Sequence, residues 1–127
     1  MNMQMKLIIP VQELYIETKA EPSTRNIGKI VGFAEVTILD KNEVLFIARG
    51  YTIRVKQFGV KPPTFIVDAP AYKSGYNYKK SFIIENKSLW KDITNKILEE
   101  FSEKNGGKTA EDYFSEMEEV NLDDIPL

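Results

Sequence analysis

The sequence predicts an α+β fold: a twisted antiparallel β-sheet of about five strands, one C-terminal amphipathic helix, then an acidic flexible tail. Three observations carry this expectation. β-branched and aromatic residues fill alternating runs between residues 7 and 85. Leu89, Ile93, Ile97 and Phe101 then recur at helical spacing. Beyond residue 104 the charge inverts: residues 1–104 carry sixteen of the seventeen Lys and Arg against twelve acids, whereas residues 105–127 carry Lys108 against seven. The expected division is a folded domain over 1–105 and a mostly disordered acidic tail over 106–127.

The elements follow in chain order. Leu7 to Thr18, interrupted by Pro10, reads as an edge strand, because proline cannot donate to a ladder. Glu21 to Gly28 is turn-rich and reads as a loop. From Ile30 to Leu39 the pattern alternates, with Ala34, Val36 and Ile38 on one face and Phe33, Glu35 and Thr37 on the other. Asp40-Lys41-Asn42 makes the turn into a long return strand, Val44 to Lys56, with a bulge expected at Gly50. In its second half Tyr51, Ile53 and Val55 share one face, while Thr52, Arg54 and Lys56 share the other. Thr64 to Ala69 is a short strand with Phe65 and Val67 together, Pro70 to Asn77 a loop, and Lys79 to Glu85 a strand closing the sheet with Phe82 and Ile84 inward. Ser88 is the expected helix N-cap, and Asn105-Gly106-Gly107 the stop.

Composition narrows the function. A chain of 127 residues has room for one domain with a real core. It contains neither cysteine nor histidine. That removes disulfides, thiolate ligands and Cys nucleophiles, together with the commonest general base and transition-metal ligand. Gly107-Lys108-Thr109 resembles the end of a phosphate-binding loop, but Ser102 stands where the first glycine belongs and a helix precedes it. Asp40 and Glu43 flank a turn, where acids are common for turn chemistry alone. The expectation is therefore a non-enzymatic protein with no cofactor and no metal. No apolar run approaches a membrane span, and the Lys6-bearing start lacks a signal-peptide pattern, so a cytoplasmic location is expected.

Basic residues concentrate between Arg49 and Lys96, where ten Lys and Arg face only Asp68, Glu85 and Asp92. Interleaved with them are Tyr51, Phe58, Phe65, Tyr72, Tyr76, Tyr78, Phe82 and Trp90. A cationic track follows phosphates regardless of sequence, and aromatic faces stack on unpaired bases at roughly 1–3 kcal/mol each, which a duplex denies them. The candidate nucleic-acid-binding residues are Arg49, Tyr51, Arg54, Lys56, Lys61, Tyr72, Lys73, Tyr76, Tyr78, Lys79, Lys80, Lys87, Trp90 and Lys91. The segment Tyr72-Lys73-Ser74-Gly75-Tyr76-Asn77-Tyr78-Lys79-Lys80 concentrates the signal. Phe65 and Phe82 point inward by parity and belong to the core.

The order of hydrophobic strand, long hairpin, "FIARGYTIRVKQFG", "TFIVDAP", "AYKSGYNYKK" and "SLWKDITNKILEEF" resembles the SpoVG family over most of residues 11–101. Tyr51-Thr52-Ile53-Arg54-Val55 is similar to that family's IRV strand, and Pro70, Lys73 and Gly75 follow as in its members. The chain departs from the pattern at Ala69, where the family usually has Met, and lacks the proline expected near Glu85. The resemblance implies a small dimeric α+β protein that binds DNA or RNA.

The chain ends Asn121-Leu122-Asp123-Asp124-Ile125-Pro126-Leu127. This resembles the Asp-Asp-Ile-Pro-Phe tip of bacterial single-stranded DNA-binding proteins, with Leu127 in place of the phenylalanine. A terminal carboxylate and apolar side chain can enter a basic-rimmed pocket, Pro126 limits the ordering cost, and Asp123 and Asp124 steer the approach. The candidate partner-binding residues are thus Asp123, Asp124, Ile125, Pro126 and Leu127; the competing explanation is an ordinary solvated acidic run. Before the tip, Thr109 and Asp112 have capping spacing, and Ala110, Tyr113, Phe114 and Met117 share a helical face. This segment is expected to fold back across the basic groove.

The function expected is that of a single-stranded DNA-binding protein that coats DNA and recruits replication, recombination or repair proteins through its tip. RNA remains open as a ligand. The alternatives are a SpoVG-like regulator with sequence preference for DNA or RNA, and an interaction module working through the tail alone.

Overall fold

The computed structural model describes residues 14–27 and 29–123. Six strands and two helices follow in order: β1 (Leu14–Ile27), β2 (Ile30–Asp40), β3 (Glu43–Lys56), β4 (Thr64–Asp68), β5 (Ala71–Ser74), β6 (Asn77–Lys80), α1 (Lys87–Lys104) and α2 (Ala110–Asp123). The α+β class and the antiparallel sheet match the expectation; the strand arrangement differs. Strands β1 to β4 form one sheet in sequential order, and β5 with β6 forms a separate two-stranded hairpin.

The alternation of apolar residues sets the core. Ala34 and Val36 of β2, Tyr51, Ile53 and Val55 of β3 and Val67 of β4 are all buried on one face, against Ile93, Ile97 and Phe101 of α1. The helix comes so close to β2 that a Cβ on Gly32 would lie 2.7 Å from the Phe101 ring and 2.9 Å from the Glu21 carbonyl oxygen. Only glycine fits there. Phe65 meets Phe101 edge-on at 5.3 Å between ring centroids.

Strand β1 runs further toward β2 than the expected end at Thr18, while residues 7–13 of the expected strand, Pro10 included, lie outside the described residues. Its ladder with β2 runs from Leu14↔Asp40 to Pro22↔Gly32 and resumes at Ile27↔Ile30, so the segment read as a loop from Glu21 is largely strand. An edge position tolerates Pro22, because one side of an edge strand needs no donor. That outer edge is clipped by α1: the Ala20 N–H donates to Glu100 Oε2 (3.3 Å), the Thr18 hydroxyl donates to Glu100 Oε1, and Lys96 Nζ donates to the Ile16 carbonyl (3.3 Å).

The bulge in β3 falls at Gly50: Ala34 pairs with Tyr51 and Glu35 with Arg49, which leaves Gly50 unpaired at φ +99°. The β2–β3 turn is Lys41-Asn42, with Lys41 at φ +56°. Strand β4 pairs with β3 only from Thr52 to Lys56. There the chain turns away. Pro70 packs against Gly50, and residues 71–80 fold into β5–β6 instead of a loop followed by a closing strand. Residues 81–86 carry Phe82 and Ile84 onto the core without strand pairing, so the expected Lys79–Glu85 strand is absent from the sheet.

Helix α1 is capped by Asn86 rather than Ser88, Asn86 Oδ1 accepting the Leu89 N–H at 2.9 Å. Leu89, expected in the apolar stripe, is 37% exposed. Asn105, Gly106 and Gly107 end the helix as expected, the Gly107 N–H donating to the Ser102 carbonyl at 2.9 Å. The next segment differs from a disordered tail. Thr109 and Asp112 form a reciprocal capping box (3.0 and 3.2 Å) that starts α2. Two hydrogen bonds from Thr109, the backbone one foremost, hold the Asp112 carboxyl below the usual carboxylate range. Ala110 and Tyr113 are buried, and Tyr113 stacks on Phe101 (6.0 Å, 25°) and meets Phe65 edge-on. Acidic as it is, α2 is anchored in the core by one apolar face.

Candidate nucleic-acid interface

Hairpin β5–β6 carries the densest part of the expected site. Ser74 pairs with Asn77, so Gly75-Tyr76 is a two-residue turn, and Gly75 takes φ +63° as such turns require. The base is closed by the Ser81 N–H donating to the Pro70 carbonyl at 2.8 Å. Cross-strand pairing sets Tyr72 beside Lys79 and Lys73 beside Tyr78. Because side chains alternate, each face of the hairpin therefore presents one tyrosine and one lysine side by side, with Lys80 on the Tyr78 face. Tyr76 at the turn is fully exposed, Tyr78 is 75% exposed and Tyr72 52%. Lys73, Lys79 and Lys80 form no ion pair among the described residues, and the hairpin contains no acid.

The base of the hairpin reaches α1. Lys80, Ala69, Ile83, Ile84 and Trp90 line a concavity of about 130 Å³. Trp90 is partly buried, stacked on Tyr51 with centroids 6.2 Å apart and planes at 29°. Lys87 and Lys91 are exposed near the start of α1, whose first turn holds no acid; Asp92 follows in the second turn. Lysines at this end oppose the helix dipole, so they add cationic field there at a small cost in helix stability.

The other expected residues are placed differently. Tyr51 is 0% exposed, wedged between Phe82 and Trp90, and stacks on no ligand in this fold. Its assignment to the binding surface is corrected: strand alternation sets Tyr51 on the same inward face as Ile53 and Val55. Burial pushes its hydroxyl up to about 12. Arg49 pairs with Glu35 at 3.1 Å, and Arg54 pairs with Asp68. Both pairs lie on the sheet face away from the helices, where Lys19 and Glu21 also pair at 3.7 Å. That face is close to neutral. Lys56, the last residue of β3, lies 4.8 Å from the Phe58 ring centroid, and Lys61 occupies the β3–β4 turn that follows. Roughly 15 Å of β4 separates this turn from the hairpin.

The structure thus gathers Tyr72, Lys73, Tyr76, Tyr78, Lys79 and Lys80 on one projection, links Lys80 to Trp90, and leaves Arg49, Arg54, Lys56 and Lys61 outside that group. The acidic segment docks on Phe65 and Phe101, not across the hairpin, which corrects the expectation of a fold-back over the basic groove. Of the tip, Asp123 ends α2, while Asp124, Ile125, Pro126 and Leu127 lie outside the described residues. Among the described residues no three Asp or Glu gather into a metal-binding group, and no helix is long and apolar enough to cross a membrane.

A feature missed in the sequence is the edge of β3 from Glu43 to Arg49. Val44, Leu45, Phe46 and Ile47 are each between 41% and 50% exposed, beside a strand edge that β4 does not cover. The signal was present: four consecutive large apolar residues break the alternation of a half-buried strand, and Pro70 prevents β4 from pairing further. No family model matches the chain, and neither a curated protein nor a solved structure matches it.

Proposed function

We propose that this protein binds single-stranded nucleic acid, DNA foremost, with hairpin β5–β6 as its gripping element. The observation that carries the reading is the exposure of three tyrosines beside three unpaired lysines on a projecting, acid-free hairpin. Neither face of the hairpin is needed to build the core, so its aromatics are free to stack on bases while its lysines meet phosphates. Lys87, Lys91 and the rim of the Trp90 concavity extend the cationic path onto α1.

The acidic end completes the proposal. Asp123, Asp124, Ile125, Pro126 and Leu127 act as a short docking peptide for replication, recombination or repair proteins, presented from an α2 that Tyr113 fixes to the body. The protein acts as a binder without catalysis.

Fluorescence anisotropy with labelled oligo-dT, a duplex and single-stranded RNA, each over a salt series, tests the reading. Tight dT binding that weakens with salt, with the duplex bound far less, supports it. Preference for one duplex or one RNA sequence would instead support a sequence-reading regulator. Absence of binding to all three would refute a nucleic-acid role.

A further inference from the structure

We propose that the concavity at the root of the hairpin, walled by Ala69, Lys80, Ile83, Ile84 and Trp90, seats one unpaired pyrimidine base, thymine first. The proposal rests on the hairpin being a grip for single strands, and adds to that grip a place where the identity of a base is read.

Size sets the first limit. The concavity measures about 130 Å³, and an apolar protein cavity of about 150 Å³ holds one benzene. One six-membered ring fills such a space, whereas the two fused rings of a purine exceed it. The walls suit a ring placed there. Tyr51 stacks on Trp90 at 6.2 Å yet does not line the concavity, so the surface that Trp90 offers to it is not the one Tyr51 covers. The same stack holds the indole in place before any ligand arrives, which lowers the ordering cost of binding. Ala69, Ile83 and Ile84 supply aliphatic contact around the ring.

Hydrogen-bonding chemistry sets the second limit. Among the described residues on this lining, the polar side-chain groups are the Lys80 ammonium and the Trp90 indole N–H, donors without an acceptor, and the neighbouring acid Glu85 is not part of the wall. Thymine offers a carbonyl oxygen to such a donor and its methyl group to the aliphatic wall. Cytosine brings an amino group that no lining side chain accepts, and adenine brings one on a larger ring system. Uracil lacks only the methyl.

Placement supplies the route. Lys80 follows Tyr78 on the same face of β6, about 7 Å further along the strand, close to the step of one unstacked nucleotide. A strand stacked on Tyr78 therefore delivers its next base to the concavity. On the far side Lys87 stands one helical turn before Trp90 with its side chain exposed, placed to meet the phosphate that follows.

Trp90 is the sole tryptophan of the chain, so its emission reports on the concavity while the anisotropy of a labelled oligonucleotide reports on overall binding. Oligo-dT, oligo-dU, oligo-dC and oligo-dA of one length are compared. Oligo-dT is expected to bind tightest and to quench Trp90. Loss of the methyl should weaken oligo-dU roughly threefold to fivefold, and the unaccepted amino group should weaken oligo-dC roughly tenfold. Oligo-dA should bind through the hairpin tyrosines and leave Trp90 emission nearly unchanged. Ile83→Ser removes an aliphatic wall at an exposed position and should bring oligo-dT and oligo-dU close to equal affinity, with oligo-dA binding unchanged. Equal affinity for all four, Trp90 emission unmoved by oligo-dT, or a preference for dT over dU that survives Ile83→Ser would each overturn the pocket while leaving the hairpin as a grip. Absence of affinity for any of the four would overturn grip and pocket together.

Discussion

Pro70 lies on Gly50: a Cβ built on this glycine would sit 3.4 Å from the Pro70 Cβ, and Gly50 itself holds φ +99°. This contact links three features. It marks the bulge that brings Ala48 and Tyr51 onto one buried face, the point where the chain leaves the sheet, and the root of the tyrosine–lysine hairpin. A side chain at residue 50 would strain the backbone. Gly50→Ala is expected to cost about 1–2 kcal/mol from the left-handed conformation alone, read as a lower midpoint in thermal or urea unfolding. A variant as stable as the natural chain would show that the bulge conformation is not required.

Tyr51 gives the protein a defined alkaline weakness. Unfolded, its hydroxyl ionises at the ordinary value of 10.0; folded, burial raises this to about 12. Between those values the unfolded chain releases a proton that the folded chain keeps. Stability therefore falls as pH rises through this window and is unaffected by Tyr51 well below it. Tyr51→Phe should lose less stability than the natural chain between pH 10 and about 12, measured by urea unfolding. Identical slopes would contradict the burial of this hydroxyl.

The sheet and α1 were legible because alternation and helical spacing are local signals. Ala34, Val36, Tyr51, Ile53, Val55, Ile93, Ile97 and Phe101 all lie on the faces their spacing assigns. What escaped depends on contacts distant in sequence. Asn86 rather than Ser88 caps α1, a shift of two residues that spacing alone does not decide. The strand expected at Lys79–Glu85 failed because Lys79 and Lys80 pair with Tyr72 and Ala71, a nearby turn outcompeting a distant sheet edge. Tyr51 entered the binding set through its composition, although the parity of its own strand pointed inward. The cap and apolar face of α2 were legible in Thr109, Asp112, Ala110 and Tyr113, but its docking place, against Phe101 rather than across the basic groove, depends on a contact between segments and was not.

Helix α2 is therefore structural as well as acidic. Tyr113→Ala removes a buried ring stacked on Phe101 and is expected to destabilise the fold by about 3–5 kcal/mol. Deleting residues 124–127 removes only the tip and should leave the unfolding midpoint unchanged while abolishing capture of a tip-binding partner. Thermal unfolding of the two variants side by side separates anchor from tip. An equal loss in both would contradict this division.

The most direct test of the central claim compares oligo-dT affinity of the natural chain, Tyr76→Ala/Tyr78→Ala, and a Lys73→Gln/Lys79→Gln/Lys80→Gln variant, each confirmed folded. All five positions are exposed, so unfolding midpoints should move by less than about 0.5 kcal/mol. The tyrosine variant should lose roughly 1–3 kcal/mol per stacked base with its salt dependence kept, and the lysine variant should have a log–log salt slope shallower by about 2. Oligo-dT binding unchanged in both variants would contradict the hairpin as the site.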